Sequence, residues 1–179
     1  MEKTKKNVNV RSICFTGLMA ALVFVFTYTF KITFPSGYTH LGDCMIFLSL
    51  VILGRKRASL AAGVGACLAD LIGGYSQWIL PSFIIKYVMV LICGLIMEYV
   101  IKNSKFLGLL AGGILGGAFQ VFAYTAVKVV LIDKAYAFSS LPRLVFQTVF
   151  GLVAALVIVL VLDKSKLLAK LNKMADTGE

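Results

Sequence analysis

Few side chains in this chain can do chemistry, and their spacing is regular. The sequence is 60% hydrophobic, with eight acids and one histidine among 179 residues. Asp70 and Lys86 lie in apolar stretches on either side of a polar turn at 73–78. On two antiparallel helices joined by that turn, with a rise of about 1.5 Å per residue, they reach similar depth and can form an ion pair. Such a pair is either purely structural or frames a polar ligand. His40 and Asp43 open another apolar stretch, where a carboxylate caps free N–H groups. Tyr38 and Thr39 lead into it, beside Pro35 and Gly37. Gln120, Tyr124 and Lys128 recur every four residues, as do Arg143, Gln147 and Gly151, so each set shares one helix face. Lys128 and Arg143 either snorkel to headgroups or end two polar lines that border one cavity. Tyr38, Tyr75, Trp78, Tyr124 and Tyr136 form either an interfacial aromatic belt or a stacking surface. The chemistry on offer is hydrogen bonding and ring stacking around a small, polar, aromatic molecule.

Catalysis finds little support. The chain has no P-loop, HExxH, GxSxG or paired-carboxylate motif. Cys14, Cys44, Cys67 and Cys93 lie far apart without CxxC or Cys/His spacing, so neither a metal site nor a disulfide framework is expected. No cofactor is implied.

The elements that must position these residues are membrane helices. Most of the 18 Lys and Arg residues cluster at 3–11, 55–57, 102–105 and 164–173, with long apolar runs between. This is the positive-inside pattern of a multi-pass protein with both termini cytoplasmic. Spans are expected near 11–32, 42–54, 57–73, 80–101, 107–131 and 140–163, a bundle of six helices in one all-α membrane domain over 1–179. The outer loops are then 33–41, 74–79 and 132–139. Closed barrels require alternating polar-inward strands, which these runs lack. The net charge of +10 reads as topology and attraction to anionic lipid, not nucleic-acid binding. No small-residue cleavage site follows the first apolar run, so it reads as a retained span. Ala58, Ala62 and Ala66 form one small-residue stripe, and Gly108, Gly112 and Gly116 another, both suited to close helix packing. Glu98 is expected to pair with Lys102 one turn away. The tail from Asn172 is expected to fray.

The strings Gly37-Tyr38-Thr39-His40-Leu41-Gly42-Asp43 and Ala69-Asp70-Leu71-Ile72-Gly73-Gly74-Tyr75 resemble energy-coupling factor (ECF) transporter S components. The stretch 78–86, ending Ile-Ile-Lys, fits the same family, and the resemblance covers nearly the whole chain. It points to a branch that includes riboflavin, pyridoxine and hydroxymethylpyrimidine carriers, with the latter two favoured. The resemblance implies a subunit of the bacterial plasma membrane that captures a small-molecule vitamin at the outer face. Its partners would be a transmembrane coupling protein and two ATPase subunits. Docking in the family uses small residues on the first helix, matched here by Gly17, Ala20 and Ala21. The ligand site implied is Tyr38, His40, Asp43, Asp70, Tyr75, Trp78 and Lys86, walled by Gln120, Tyr124, Lys128 and Gln147. Three other readings compete. They are a proton-coupled carrier using Asp70 and Lys86, a membrane enzyme using His40 and Asp43, and a structural subunit without ligand.

Overall fold

The computed structural model describes residues 10–34 and 37–175, with residues 32–34, 37 and 38 described by backbone alone. Helix α1 (Val10–Tyr28) leads into an antiparallel hairpin, β1 (Lys31–Phe34) and β2 (Gly37–His40), in which Lys31 pairs with His40 and Ile32 with Thr39. Then come α2 (Gly42–Leu53), α3 (Arg55–Ile72), a 3-10 turn (Ser76–Trp78) and α4 (Ile79–Leu95). A π-helical turn extends α4 through Ile96–Val100. The chain continues as α5 (Lys105–Leu131), α6 (Lys134–Ser139), α7 (Leu141–Lys164) and α8 (Leu167–Ala175).

Among the described residues, four segments are long and apolar enough to cross a membrane: Val10–Tyr28, Ser76–Val100, Lys105–Leu131 and Lys134–Lys164. The other two expected spans, α2 and α3, do not meet that standard. At about 1.5 Å per residue, α2 is roughly 18 Å long, well short of the hydrocarbon core. Its composition has a different cause. All 12 of its residues are buried inside the protein, because it is the central helix against which α1, α3, α7 and α8 pack. A helix apolar all round has no solvent face to offer and belongs in a core. Helix α3 starts on Arg55, Lys56 and Arg57, which lower its hydropathy. The outward faces of the longer helices are apolar, with Phe122, Val149 and Val153 exposed and Val130 83% exposed. A surface of this kind suits lipid rather than water.

The small-residue stripes are internal, as expected. A Cβ at Gly112 would lie 2.6 Å from the Cys93 carbonyl oxygen, and one at Gly116 would lie 2.7 Å from that of Met89. The α4 and α5 backbones are therefore in near contact. Gly65 does the same for α3 against Ala20 of α1. Ala58, Ala62 and Ala66 are buried. Gly54, with φ +75°, makes the tight turn from α2 into α3 that a side chain would strain.

Several expectations need correction. The first helix stops at Tyr28, and the hairpin occupies the place of its end and of the first outer loop. Short β-branched and aromatic runs flanking Pro35-Ser36-Gly37 are a hairpin signal that the apolar run obscured. The loop at 132–139 holds α6, whose first turn is capped by the Asp133 carboxylate accepting from the Tyr136 N–H at 2.8 Å. The tail is helical and docked as far as Ala175, with Leu168 and Ala175 buried; residues 176–179 lie outside the described residues. Arg57 donates to the Ala175 carbonyl at 2.6 Å and to Ser12 Oγ at 2.7 Å. Glu98 pairs with Arg55 at 2.9 Å, not with Lys102. Both groups are partly exposed, so the pair contributes about 0–1 kcal/mol. These contacts gather the starts of α1 and α3 and the ends of α4 and α8 at one end of the bundle.

The Gly116 contact predicts a test. Gly116→Leu drives a side chain into the α4 backbone and is expected to destabilise the protein by about 1–3 kcal/mol or more. Gly17→Ala, placed where a Cβ meets open space, is expected to leave the thermal midpoint unchanged. Thermal unfolding in detergent, read by size-exclusion chromatography, compares the two.

Candidate functional site

The opposite end of the bundle is built around one carboxylate. Asp43, in the first turn of α2, has no solvent exposure. Lys86 of α4, 2% exposed, donates to Asp43 Oδ1 and to Gln120 Oε1. Gln120 of α5 donates through Nε2 to Asp43 Oδ2 at 2.9 Å and to Thr148 Oγ1 of α7 at 2.7 Å. Gln147 of α7 adds a longer bond from Nε2 to Asp43 Oδ2 at 3.3 Å. Thr39 of β2 donates to Gln147 Oε1 at 2.9 Å. Four helices and the hairpin thus meet on a neutralised pair whose polar atoms are bonded to one another. Buried charges persist only when paired and hydrogen-bonded in this way. A glycine permits the approach: a Cβ at Gly151 would lie 2.6 Å from Asp43 Cβ.

The expected Asp70–Lys86 pair is replaced by Asp43–Lys86. Asp70 is only partly buried and has Ser82 as a hydrogen-bond partner, with the Lys86 charge in range. Equal depth along two helices does not set the rotation of each helix, and Lys86 points towards the axis, where α2 lies.

Above this floor is a cavity of about 170 Å³. Asp70, Tyr75 and Trp78 line one side, from α3 and the loop after it. Ser82 and Lys86 of α4, then Tyr124 and Lys128 of α5, line the next. Arg143, Leu144 and Gln147 of α7 close it, with Tyr136 of α6 and His40 of β2 at the border. The Trp78 and Tyr124 rings stand 6.0 Å apart at 45°. The Tyr124 hydroxyl donates to Ser82 Oγ at 3.0 Å, and the Lys86 ammonium lies 5.5 Å from the Tyr124 ring centre. The glycine pair after α3 shapes the wall, since Gly74 has φ +77° and a Cβ at Gly73 would press on the Tyr75 ring.

His40 carries no charge at neutral pH. Burial lowers its pKa from the ordinary 6.5 to about 4, and the nearby Asp43 charge only partly opposes this. Its Nδ1 accepts from the Gly42 N–H at 3.3 Å, a bond that protonation there would abolish. These features suit an uncharged acceptor better than an acid–base catalyst.

Eight of the expected ligand residues line the cavity: His40, Asp70, Tyr75, Trp78, Lys86, Tyr124, Lys128 and Gln147. Asp43 and Gln120 lie one layer below and hold Lys86. The Tyr38 side chain lies outside the described residues. On α1, Gly17 and Ala21 are exposed, whereas Ala20 is buried against the bundle. Thr27, Ser82 and Leu144 were not expected at the site, whereas Tyr136 and Arg143 were expected to border a cavity but stood outside the ligand set. Ser82 lies four residues before Lys86 on the same α4 face, a signal that was legible. Thr27 had no such signal. Its buried Oγ1 borders the cavity and has no hydrogen-bond partner among the described residues. The arrangement can orient a flat polar molecule, and among the described residues no His, Cys, Asp and Glu group could hold a metal ion.

Two comparisons relate the chain to known proteins. A family model described as "ECF-type riboflavin transporter, S component" matches residues 7–164. A Pyrococcus woesei protein, described as "Uncharacterized protein in gap 3'region", is 34% identical over 134 residues, covering 73% of this chain and 87% of that one.

Two predictions follow from the geometry. Lys86→Met strands a buried carboxylate and is expected to cost about 3–5 kcal/mol. Asp43→Asn combined with Lys86→Met is expected to recover part of that loss, which a double-mutant cycle of thermal stabilities measures. The second concerns pH. Folding favours neutral His40, so unfolded chains take up the proton first as pH falls. The contribution from His40 is intact above pH 6.5 and is lost between 6.5 and about 4. His40→Gln is expected to flatten the pH dependence of the thermal midpoint in that window.

Proposed function

The chain belongs to the ECF-type riboflavin transporter S component family, a family of multi-pass membrane transporters and not of enzymes, and from that premise we propose that it captures a flat heteroaromatic vitamin at the outer face of the cell membrane. The observation that carries this reading is the cavity itself. An aromatic pair, Trp78 and Tyr124, stands over a polar floor of Lys86 and Gln147, with His40 and Asp70 at its sides. One ring of the ligand would lie against the aromatic pair while its heteroatoms meet the polar groups. Riboflavin is the first candidate, because the matched family is described by it. Pyridoxine and hydroxymethylpyrimidine are the comparators.

Orientation follows from charge. Arg55 and Arg57 lie at the end of the bundle remote from the cavity, beside the start of α1 and the end of α8. Under the positive-inside rule that end is cytoplasmic, both termini with it, and the cavity faces outward. In this reading α2 and α3 complete a six-helix bundle, with the short α2 shielded from lipid by its neighbours. The chain has no P-loop, so the energy comes from the ECF module, its coupling protein and two ATPases. Gly17 and Ala21 lie on an exposed stripe of α1, with open space over Gly17. We assign the docking contact to that stripe, since small residues let helices approach closely.

Trp78 is the only tryptophan in the chain, which gives a direct assay. Titration of the purified protein with riboflavin is expected to quench its fluorescence, and Trp78→Phe to abolish the signal. Vesicles holding the protein and an ECF module are expected to take up the bound vitamin only with ATP. Ala21→Leu should block that uptake while binding persists. Uptake driven by a proton gradient without the module would refute the reading.

A further inference from the structure

The cations of the cavity are not equivalent. Lys86 is neutralised from below by Asp43. Lys128, 6% exposed, is bonded instead to a neutral group. Its ammonium donates to Ser140 Oγ at 2.7 Å, and that hydroxyl donates onward to the Ala137 carbonyl at 3.0 Å. Among the described residues, Lys128 has no acidic group within ion-pair distance. Arg143 lines the same cavity from α7, and the two positive charges act on each other. Asp70, the acid on the cavity wall, is held by Ser82, with Lys86 and Lys31 as the charges acting on it. Two positive charges lining one cavity raise the potential there and favour an anionic group on a ligand. A guanidinium fork and an ammonium lining one cavity can together match the oxygens of a phosphate or carboxylate. The Tyr136 ring, 6.0 Å from the Lys128 ammonium, borders the same corner.

We propose that Lys128 and Arg143 form an anion subsite, which receives an acidic oxygen group of the ligand, a phosphate monoester or a carboxylate. The inference rests on the capture reading above and adds the ligand's charge to it. The ring occupies the Trp78–Tyr124 side, and the acidic substituent reaches towards α7. The protein therefore favours the acidic form of a flat ring over its neutral form.

Titration calorimetry on the purified full chain, with matched compounds, tests this. The probes are riboflavin and riboflavin 5′-phosphate, and pyridoxine, pyridoxine 5′-phosphate and 4-pyridoxic acid. Within whichever set binds, an acidic member is expected to bind roughly tenfold or more tightly than the neutral one. The phosphate and carboxylate members of the second set distinguish the two sources of charge. Lys128→Met and Arg143→Met are each expected to reduce that preference to about threefold or less, while Lys128→Arg retains it. The wild-type ratio needs no variant, so a misfolded mutant does not remove the test. Equal or tighter binding of the neutral member in wild type would overturn the subsite and leave the capture reading standing. A preference unchanged in both methionine variants would also overturn it. Failure of every probe to bind would overturn the capture reading, and the subsite with it.

Discussion

The structure depends on one buried carboxylate. Asp43 has no solvent, and its charge is tolerable only because Lys86, Gln120 and Gln147 all reach it. Each comes from a different helix, so the requirement to satisfy one anion fixes how α2, α4, α5 and α7 are rotated about their axes. Apolar contacts alone leave rotation loosely specified, because most faces of these helices are apolar. A buried ionic group that only one arrangement can satisfy removes that freedom, whatever its net effect on stability.

Close approach is what makes the network reachable. Glycine at 151 lets α7 meet the start of α2, and Gly112 with Gly116 lets α5 lie on α4. Helices packed with larger residues would stand further apart and leave the amides short of the carboxylate. Lipid supplies no hydrophobic drive for helices to associate, so tight van der Waals contact and these polar bonds must hold them together. The central position of α2 follows from the same economy. It is too short to span alone, but surrounded by longer helices it presents Asp43 at the depth where the others converge.

The floor and the wall have different duties. The floor is internally satisfied and therefore stiff. The wall keeps polar atoms turned inward, among them Thr27 Oγ1 and the ammonium of Lys128, and it carries aromatic faces on a loop that two glycines shape. In the capture reading, a stiff base of this kind would position a ligand with little reordering on binding. Lys86 belongs to both, which is why its charge says little about the ligand and the charge of Lys128 says more.

Much of this was legible in the sequence, because it is local. Charge clusters between apolar runs identified a membrane protein, four-residue spacing placed Gln120, Tyr124 and Lys128 on one face, and the small-residue stripes announced close packing. The polar set that lines the cavity was therefore largely named in advance. What the sequence could not carry was partner choice. Asp70 and Asp43 were both acids near the same end, and only the packed rotation of α4 towards the central helix decides that Lys86 meets Asp43. Arg55 likewise meets Glu98 through the proximity of two distant chain segments. The hairpin and the docked tail helix also escaped, since a short strand pairs with another strand, and Ala175 is held by Arg57. Periodicity is a property of one helix, whereas an ion pair is a distance between two, and that distance exists only once the bundle has closed.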